Sequence, residues 1–375
     1  MSELSAYRPT RVEIDLDAIR HNVGVLRALV EPAVVMAVVK ADAYGHGAVP
    51  VARAAVEAGA ASLGVALVEE GVELRDAGID APILVLSEPR PEAAGEVVAR
   101  RLTPVVYTEA GIDVLAKAVA DQGADPLDVH LKVDTGMHRV GAHPSDAVAL
   151  AQRVVAHGEL RLGGVCTHFA VADEPGDPYT GDQLERFHAV RADLASVGAD
   201  PHPVHAANSA AAIGVPDARF DMVRVGIAIY GVIPAPGVGA DLGLRPALAL
   251  RSAVSHTKRL RAGDRVSYGL RYTLDRDATI ATVPIGYADG VPRNLAATDA
   301  EVIVHGTRCR IAGTVTMDQL MVDVGDLPVE VGDVVTLLGR DGEASVTAEE
   351  WAERLGTIGY EIVCGIGPRV PRSHR

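Results

Sequence analysis

Over the first two thirds of the chain, short β-branched apolar runs alternate with alanine-rich amphipathic runs. The apolar runs predict strands at 34–39, 62–66, 83–87, 103–106, 129–133, 162–166, 204–206 and 222–225. Between most of them the apolar positions recur at helical spacing, which predicts helices at 49–58, 68–77, 109–119, 146–156 and 183–196. A first helix is predicted over 14–30: Ile19, Val23 and Leu26 share a face, and Asp15 or Asp17 can cap it. Eight strands with intervening helices is the count of a (β/α)8 TIM barrel. A doubly wound open sheet is the alternative, but no strand is followed by GxGxxG.

The pattern changes after residue 231. VIPAPGVGAD at 232–241 reads as a linker. Beyond it β-type runs dominate, at 248–260, 278–285, 301–304, 308–316, 320–324 and 333–338, several of them separated by Gly-Asp turns. A helix at 348–355 interrupts them, with Thr347 as cap and Glu350 completing a capping box. The expected organisation is a barrel over 1–243 and a mostly β-strand domain over 244–375, with residues 1–10 free to pack on the latter.

Candidate chemistry falls on one rim of this scheme. Lys40 ends the first strand and Leu86 the third. Lys132, Asp134 and Arg139 follow the fifth, and His168 the sixth. Asn208 and Ser209 follow the seventh, while Arg224, Gly226 and Ile227 end the eighth. Barrel enzymes build their sites at the C-terminal ends of strands. Any one of these residues has an ordinary structural reading, Lys40 as a solvated strand-end lysine included. Their shared rim favours a site. A lysine delivered by a buried strand is poorly solvated, which favours the neutral amine that attacks an aldehyde.

Charge and cysteines narrow the class. A net charge of −15 over 375 residues argues against nucleic acid as a partner. No apolar run reaches membrane-spanning length, and residues 1–11 lack a signal peptide's apolar core. Cys166, Cys309 and Cys364 are scattered, without metal-like spacing, which fits a reduced cytoplasm. No HExxH-type histidine pairing supports a metal site.

Nine segments together resemble the alanine racemase family: AVVKADAYGHG (37–47), HLKVDTGMHRVG (130–141), THFA (167–170), AANSAA (207–212), DMVRVGIAIYG (221–231), VSYG (266–269), VPIGYADG (283–290), AGTVTMDQLMVDVG (312–325) and CGIGPRVPR (364–372). The resemblance spans nearly the whole chain. It implies a barrel plus a β domain and pyridoxal 5'-phosphate (PLP) as cofactor, attached to Lys40. It also implies two bases, Lys40 for the D-isomer and Tyr268 for the L-isomer, since one base on one face would return the same enantiomer. His168 would hydrogen-bond Tyr268, with Arg224 holding that histidine neutral by repulsion. Arg224 would face the cofactor's ring nitrogen and leave it largely unprotonated. Ser209, the amides of Gly226 and Ile227, and the hydroxyls of Tyr44 and Tyr360 would hold the phosphate; Leu86 and Asn208 complete the cofactor set.

The same resemblance assigns the substrate carboxylate to Arg139 and the Met317 amide, and pocket narrowing to Tyr287 and Tyr360. Asp173, Arg293 and Ile358 would line an access corridor. Lys132 falls where relatives carry a carbamate; an unmodified lysine paired with Asp134 is the other reading. A head-to-tail homodimer would share its sites, with Tyr268 and Met317 acting in trans, and the product D-alanine would serve bacterial peptidoglycan. Competing readings are a broad-specificity amino-acid racemase, a PLP-dependent decarboxylase of the same architecture, and a non-catalytic PLP-binding protein. TMDQ and VSYG favour the racemase over the decarboxylase, the pocket tyrosines argue against broad specificity, and the β domain argues against the non-catalytic barrel.

Overall fold

A computed structural model describes residues 7–375. They form two compact units. One comprises Ile19–Ala43 and Ala48–Arg245; the other comprises the described part of Met1–Ala18, Tyr44–Gly47 and Pro246–Arg375.

In the first unit eight parallel strands lie side by side: β2 (Val34–Val38), β3 (Ser62–Val65), β4 (Ile83–Val85), β5 (Thr103–Val106), β6 (Leu127–Lys132), β7 (Leu160–Cys166), β8 (Val204–His205) and β9 (Met222–Val225). The order β8-β7-β6-β5-β4-β3-β2-β9 follows the chain, with β9 returning beside β2. Bonds from Asp221 N to Val204 O (3.1 Å) and Arg224 N to Ala207 O (2.9 Å) bring β9 against the β8 region, so the sheet is nearly a closed barrel. Burial of the strands towards their C-terminal ends explains their continuous apolar runs. Met36, Leu84, Val105, Cys166 and Met222, with Leu86 and Tyr107 against them, pack as one cluster.

Every strand expected here is present, with ends displaced by two residues or fewer. Helices Ala48–Glu57, Val68–Asp76, Glu109–Gln122, Ala147–Ala156 and Tyr179–Ser196 lie where the apolar spacing put them. The short helices Ala94–Ala99 and Ser209–Gly214 carry too few turns to show a period. The first helix is Leu16–Val30, with Asp15 Oδ1 accepting from Ala18 N (2.9 Å) as its cap. Ile14 is not in it: β1 (Arg11–Ile14) is a strand. One turn of alternating Arg-Val-Glu-Ile reads equally as either, and its pairing with a distant strand decides.

That pairing belongs to the second unit. Its strands are β1, β10 (Leu248–Ala253), β11 (His256–Leu260), β12 (Arg265–Val266), β13 (Tyr272–Thr273), β14 (Ala278–Val283), β15 (Glu301–Val304), β16 (Thr307–Ile311), β17 (Leu320–Gly325), β18 (Val334–Asp341), β19 (Ala344–Val346) and β20 (Arg372–His374). Ten form one sheet, and β12–β13 is a separate hairpin. β1 sits between β10, antiparallel, and β20, parallel. The expected run 248–260 is two strands, because Val254 and Ser255 turn away to bond Asp333 O and Thr282 O. The expected strand 308–316 stops at Ile311; Gly313, with φ +78°, turns the chain. The helix Ala348–Leu355 is capped by Thr347 Oγ1, which accepts from Glu350 N (3.2 Å). The capping box is not closed: the Glu350 carboxylate turns instead to Arg308 and Arg354.

Gly286 is the tightest junction in this unit. A Cβ there would lie 2.2 Å from Thr316 O and 2.4 Å from Met317 O. Its absence lets Tyr287 N and Ala288 N bond those two carbonyls, each at 3.0 Å. Gly286→Ala must push the Tyr287 turn off the Thr316–Met317 backbone. We expect a loss of about 1–3 kcal/mol, the usual range for overpacking, read as a lowered melting temperature. An unchanged melting temperature would contradict this close approach.

Candidate active site

The site is built on the C-terminal rim of the barrel unit. The most constrained residue there is Arg224, at the end of β9 and 6% exposed. Its neighbours supply no carboxylate. Its Nη1 donates to His205 Nδ1 (2.8 Å) and His205 O (3.0 Å). Its Nη2 donates to Thr167 O (2.8 Å), Ala206 O (2.9 Å) and His168 Nδ1 (3.0 Å). Among the described residues nothing accepts from Nε–H, so one donor of the fork is left over.

These bonds fix protons on the imidazoles. A guanidinium only donates, so Nδ1 of His205 and of His168 must be bare. The neutral rings then carry their proton on Nε2. His205 Nε2–H donates to His130 Nδ1 (2.8 Å), which extends the chain one ring further. Burial keeps all three rings neutral. His130 is pushed down to about 4, chiefly by desolvation, with Arg224 assisting against Asp128. His168 and His205 lie well below the usual histidine value, again by desolvation first and Arg224 second. Repulsion from Arg224, expected as the cause for His168, is therefore the lesser part.

The remaining cations converge on the same place. Arg139 and Lys132, and Lys40 behind them, are near enough to His168 to depress it further. Lys132 is buried and also lowered, by desolvation first and then by Arg224, Arg139 and Lys40, with Cys166 opposing. Its Nζ donates to Leu86 O (3.2 Å). The alternative pairing with Asp134 is not found: Asp134 Oδ1 accepts from Gly136 N (2.9 Å) and His138 N (3.0 Å) within its own loop. Lys132, Asp134, Met137, Arg139, Thr167 and His168 line one small cavity. Arg139 is exposed, and no described residue pairs with it. Lys132 and Arg139 line this cavity, Arg224 and Lys40 act on its His168, and the Asp134 carboxylate is taken up by its own loop, a balance suited to an anionic ligand.

Ser209 and Asn208 sit beside this group. Ser209 Oγ accepts from Gly226 N (3.0 Å) and Ala228 N (3.4 Å), which leaves its hydroxyl hydrogen to donate. The Gly226 amide is thus directed at Ser209. Asn208 Oδ1 caps the following helix by accepting from Ala211 N (3.0 Å). Ile227 is fully buried just after β9.

Lys40 does not simply end a strand. It opens a left-handed turn in which Ala41, Asp42, Ala43 and Tyr44 have φ of 52°, 51°, 52° and 55°. Each such residue costs about 1–2 kcal/mol. Three contacts hold the turn: Ala43 N to Val39 O (2.9 Å), Ala48 N to Asp42 Oδ1 (2.7 Å) and Ala41 N to Glu70 Oε1 (2.6 Å). Glu70 also takes Ala66 N (2.8 Å) and Leu67 N (3.1 Å) on its other oxygen. Sequence reasoning missed Glu70, His130 and His205. A glutamate at the third position of a helix and polar residues inside apolar strand runs were the available signals.

The other candidates belong to the second unit. Tyr44 is buried and its ring centroid lies 6.0 Å from that of Tyr360. Tyr268, Tyr287 and Met317 are 72%, 39% and 52% exposed. Met317 N makes no hydrogen bond with the described residues, while Met317 O accepts from Ala288 N. Arg293 and Ile358 also lie in this unit; Asp173 is an exposed residue of the barrel unit.

The neutral histidines make the protein's stability pH-dependent. Unfolded histidines take up protons below about pH 6.5; the folded rings do so only far lower. Their contribution is complete above about 6.5 and is lost as pH falls towards 4, at up to about 1.4 kcal/mol per pH unit for each ring. His130→Gln keeps an acceptor for His205 Nε2–H. It should flatten the decline of melting temperature between pH 6.5 and 4.5. An equally steep decline in the variant would place the titration elsewhere.

Residues 14–234 match the family description "Alanine racemase, N-terminal domain", and residues 247–374 match "Alanine racemase, C-terminal domain". An alanine racemase of Symbiobacterium thermophilum is 50% identical, over 99% of this chain and 98% of that protein. One from Thermobifida fusca is 48% identical, over 96% of each. The solved structure of an alanine racemase from Streptomyces coelicolor A3(2) superposes with a TM-score of 0.95 at 43% identity, covering 99% of both chains. With both domains matched and half the residues identical over full length, the chain belongs to the alanine racemase family of isomerases.

Proposed function

We propose that this protein interconverts L- and D-alanine with PLP as cofactor, by proton transfer on opposite faces of the substrate. Beyond family membership, the observation that carries the reading is Arg224: a buried guanidinium, held by neutral acceptors, with Nε–H to spare. That donor suits an unprotonated ring nitrogen, and the surrounding cations suit phosphate and carboxylate groups. Lys40 would hold the cofactor covalently. Ser209 O–H, the Ile227 amide and the hydroxyls of Tyr44 and Tyr360 would hold its phosphate, while the expected Gly226 amide bonds Ser209 Oγ and orients that hydroxyl; Leu86, His168 and Asn208 would border it. When bound, the cofactor would delocalise the electron pair left on Cα after proton loss.

The chain's own residues do the rest. Arg139 and Met317 N–H fix the carboxylate, and a forked guanidinium suits it. Lys40 Nζ removes or returns the proton on the D face. Tyr268 Oη does the same on the L face, with His168 Nε2–H as its hydrogen-bond donor. That donor exists because Arg224 occupies Nδ1. Tyr287 and Tyr360 restrict the space beside Cα to a methyl, although one methylene discriminates only about 10–200-fold.

Three further points complete the proposal. Lys132 is a depressed, buried amine without an anionic partner; its reaction with carbon dioxide would release one proton and leave a carbamate that balances Arg139. Two chains would pair head to tail, with Tyr268 and Met317 completing the partner's site. The protein would work in the cytoplasm, supplying D-alanine for peptidoglycan, in keeping with Cys166, Cys309 and Cys364 forming no disulfide among the described residues.

Solvent deuterium exchange at Cα tests the two-base assignment. We expect Tyr268→Phe to keep exchanging D-alanine with retention while exchange of L-alanine falls at least 100-fold. Equal rates for both enantiomers in the variant would make Tyr268 structural. Absence of exchange by the unaltered protein with PLP bound would overturn the racemase reading.

A further inference from the structure

The Tyr268 side chain is held by little of its own. It is 72% exposed in its unit, and no described residue bonds its hydroxyl. A phenol that must deliver a proton to one face needs placement to well under 1 Å. In this unit the placement comes from the backbone of residues 266–270, which is strained and tied down.

The strain is local. Ser267 has φ 65° and ψ −175°, a combination open almost only to glycine. Gly269 and Leu270 also have positive φ, 75° and 49°. So Tyr268 is flanked on both sides by backbone that would relax if released. Two reciprocal bonds oppose that release. Ser267 Oγ donates to Thr314 O (2.7 Å), and Thr314 Oγ1 donates to Tyr268 O (2.8 Å). Inside the turn, Leu270 N bonds Ser267 O (3.0 Å) and Arg265 Nε bonds Leu270 O (2.8 Å). The approach depends on Gly313: a Cβ there would lie 2.6 Å from Val266 O and 2.8 Å from Ser267 Cβ.

We infer that Ser267 and Thr314 are positioning residues for the L-face base: their crossed hydroxyl bonds clasp the Tyr268 turn to the segment carrying Met317. The clasp couples the proposed base to the proposed carboxylate contact, since Met317 is three residues beyond Thr314. It also explains why a serine tolerates a glycine's backbone at 267. Alanine there would keep the strain without the hook, and glycine would remove both. This inference rests on Tyr268 being the L-face base.

The test uses holoenzyme variants Thr314→Val, Thr314→Ser, Ser267→Gly and Tyr268→Phe, with Cα deuterium exchange measured from each alanine enantiomer. Thr314→Val, which keeps the branched shape, should lower L-alanine exchange at least tenfold and change D-alanine exchange less than threefold. Thr314→Ser should restore it to within threefold, and Ser267→Gly should follow Thr314→Val. In the cofactor-free protein, amide hydrogen exchange of the peptide spanning 264–275 should rise in Thr314→Val and not in Thr314→Ser. Equal loss for both enantiomers, or no loss, overturns the clasp while Tyr268→Phe still shows its L-specific defect. If Tyr268→Phe itself lacks that defect, the base assignment fails and the positioning role falls with it.

Discussion

A cation sealed among neutral groups is the constraint on which the barrel rim depends. Removing Arg224 from water costs several kcal/mol. No carboxylate repays it. Four Nη hydrogens shared among five carbonyl and imidazole acceptors do, and an unshared bond to a charged donor is worth about 1.5–3 kcal/mol. Those acceptors must be presented together, so the ends of β7, β8 and β9 are fixed relative to one another. They must also stay unprotonated, which sets the tautomers of His168, His205 and His130. A charge with nowhere to go thus decides which nitrogen at the rim donates and which accepts.

Strain complements that electrostatic constraint. The left-handed turn after Lys40 and the glycine-like backbone at Ser267 are both unfavourable for L side chains, and both lie beside a residue proposed to move a proton. In each case neighbouring polar groups hold the backbone: Glu70 and Asp42 in one, Thr314 in the other. Energy released by packing elsewhere is spent on placing two side chains. The same logic explains Gly286 and Gly313, where a missing Cβ lets two backbone segments meet.

Much of the fold was legible because its signals are local. Eight short apolar runs are buried strands wherever they occur, and the strand ends place Lys40, Lys132, His168 and Arg224 on one rim. What was not legible depends on register. His130 is a polar residue in an apolar run until β6 and β7 pair it with Gly164, and β8 sets His205 beside it. Glu70 is an ordinary helix-start glutamate until Ala41 folds back onto it. The strand β1 needed β10 and β20, more than 230 residues away. The left-handed turn after Lys40 had no sequence signal beyond the glycine that ends it.

Nitrogen-15 NMR of the histidine-labelled protein reads the central claim directly. At pH 7 His168, His205 and His130 should each show a bare Nδ1 and a protonated Nε2, unchanged on acidification to pH 5.5. A protonated Nδ1 on His168 or His205, or either ring charged at neutral pH, would contradict the account that Arg224 sets the proton positions at this site.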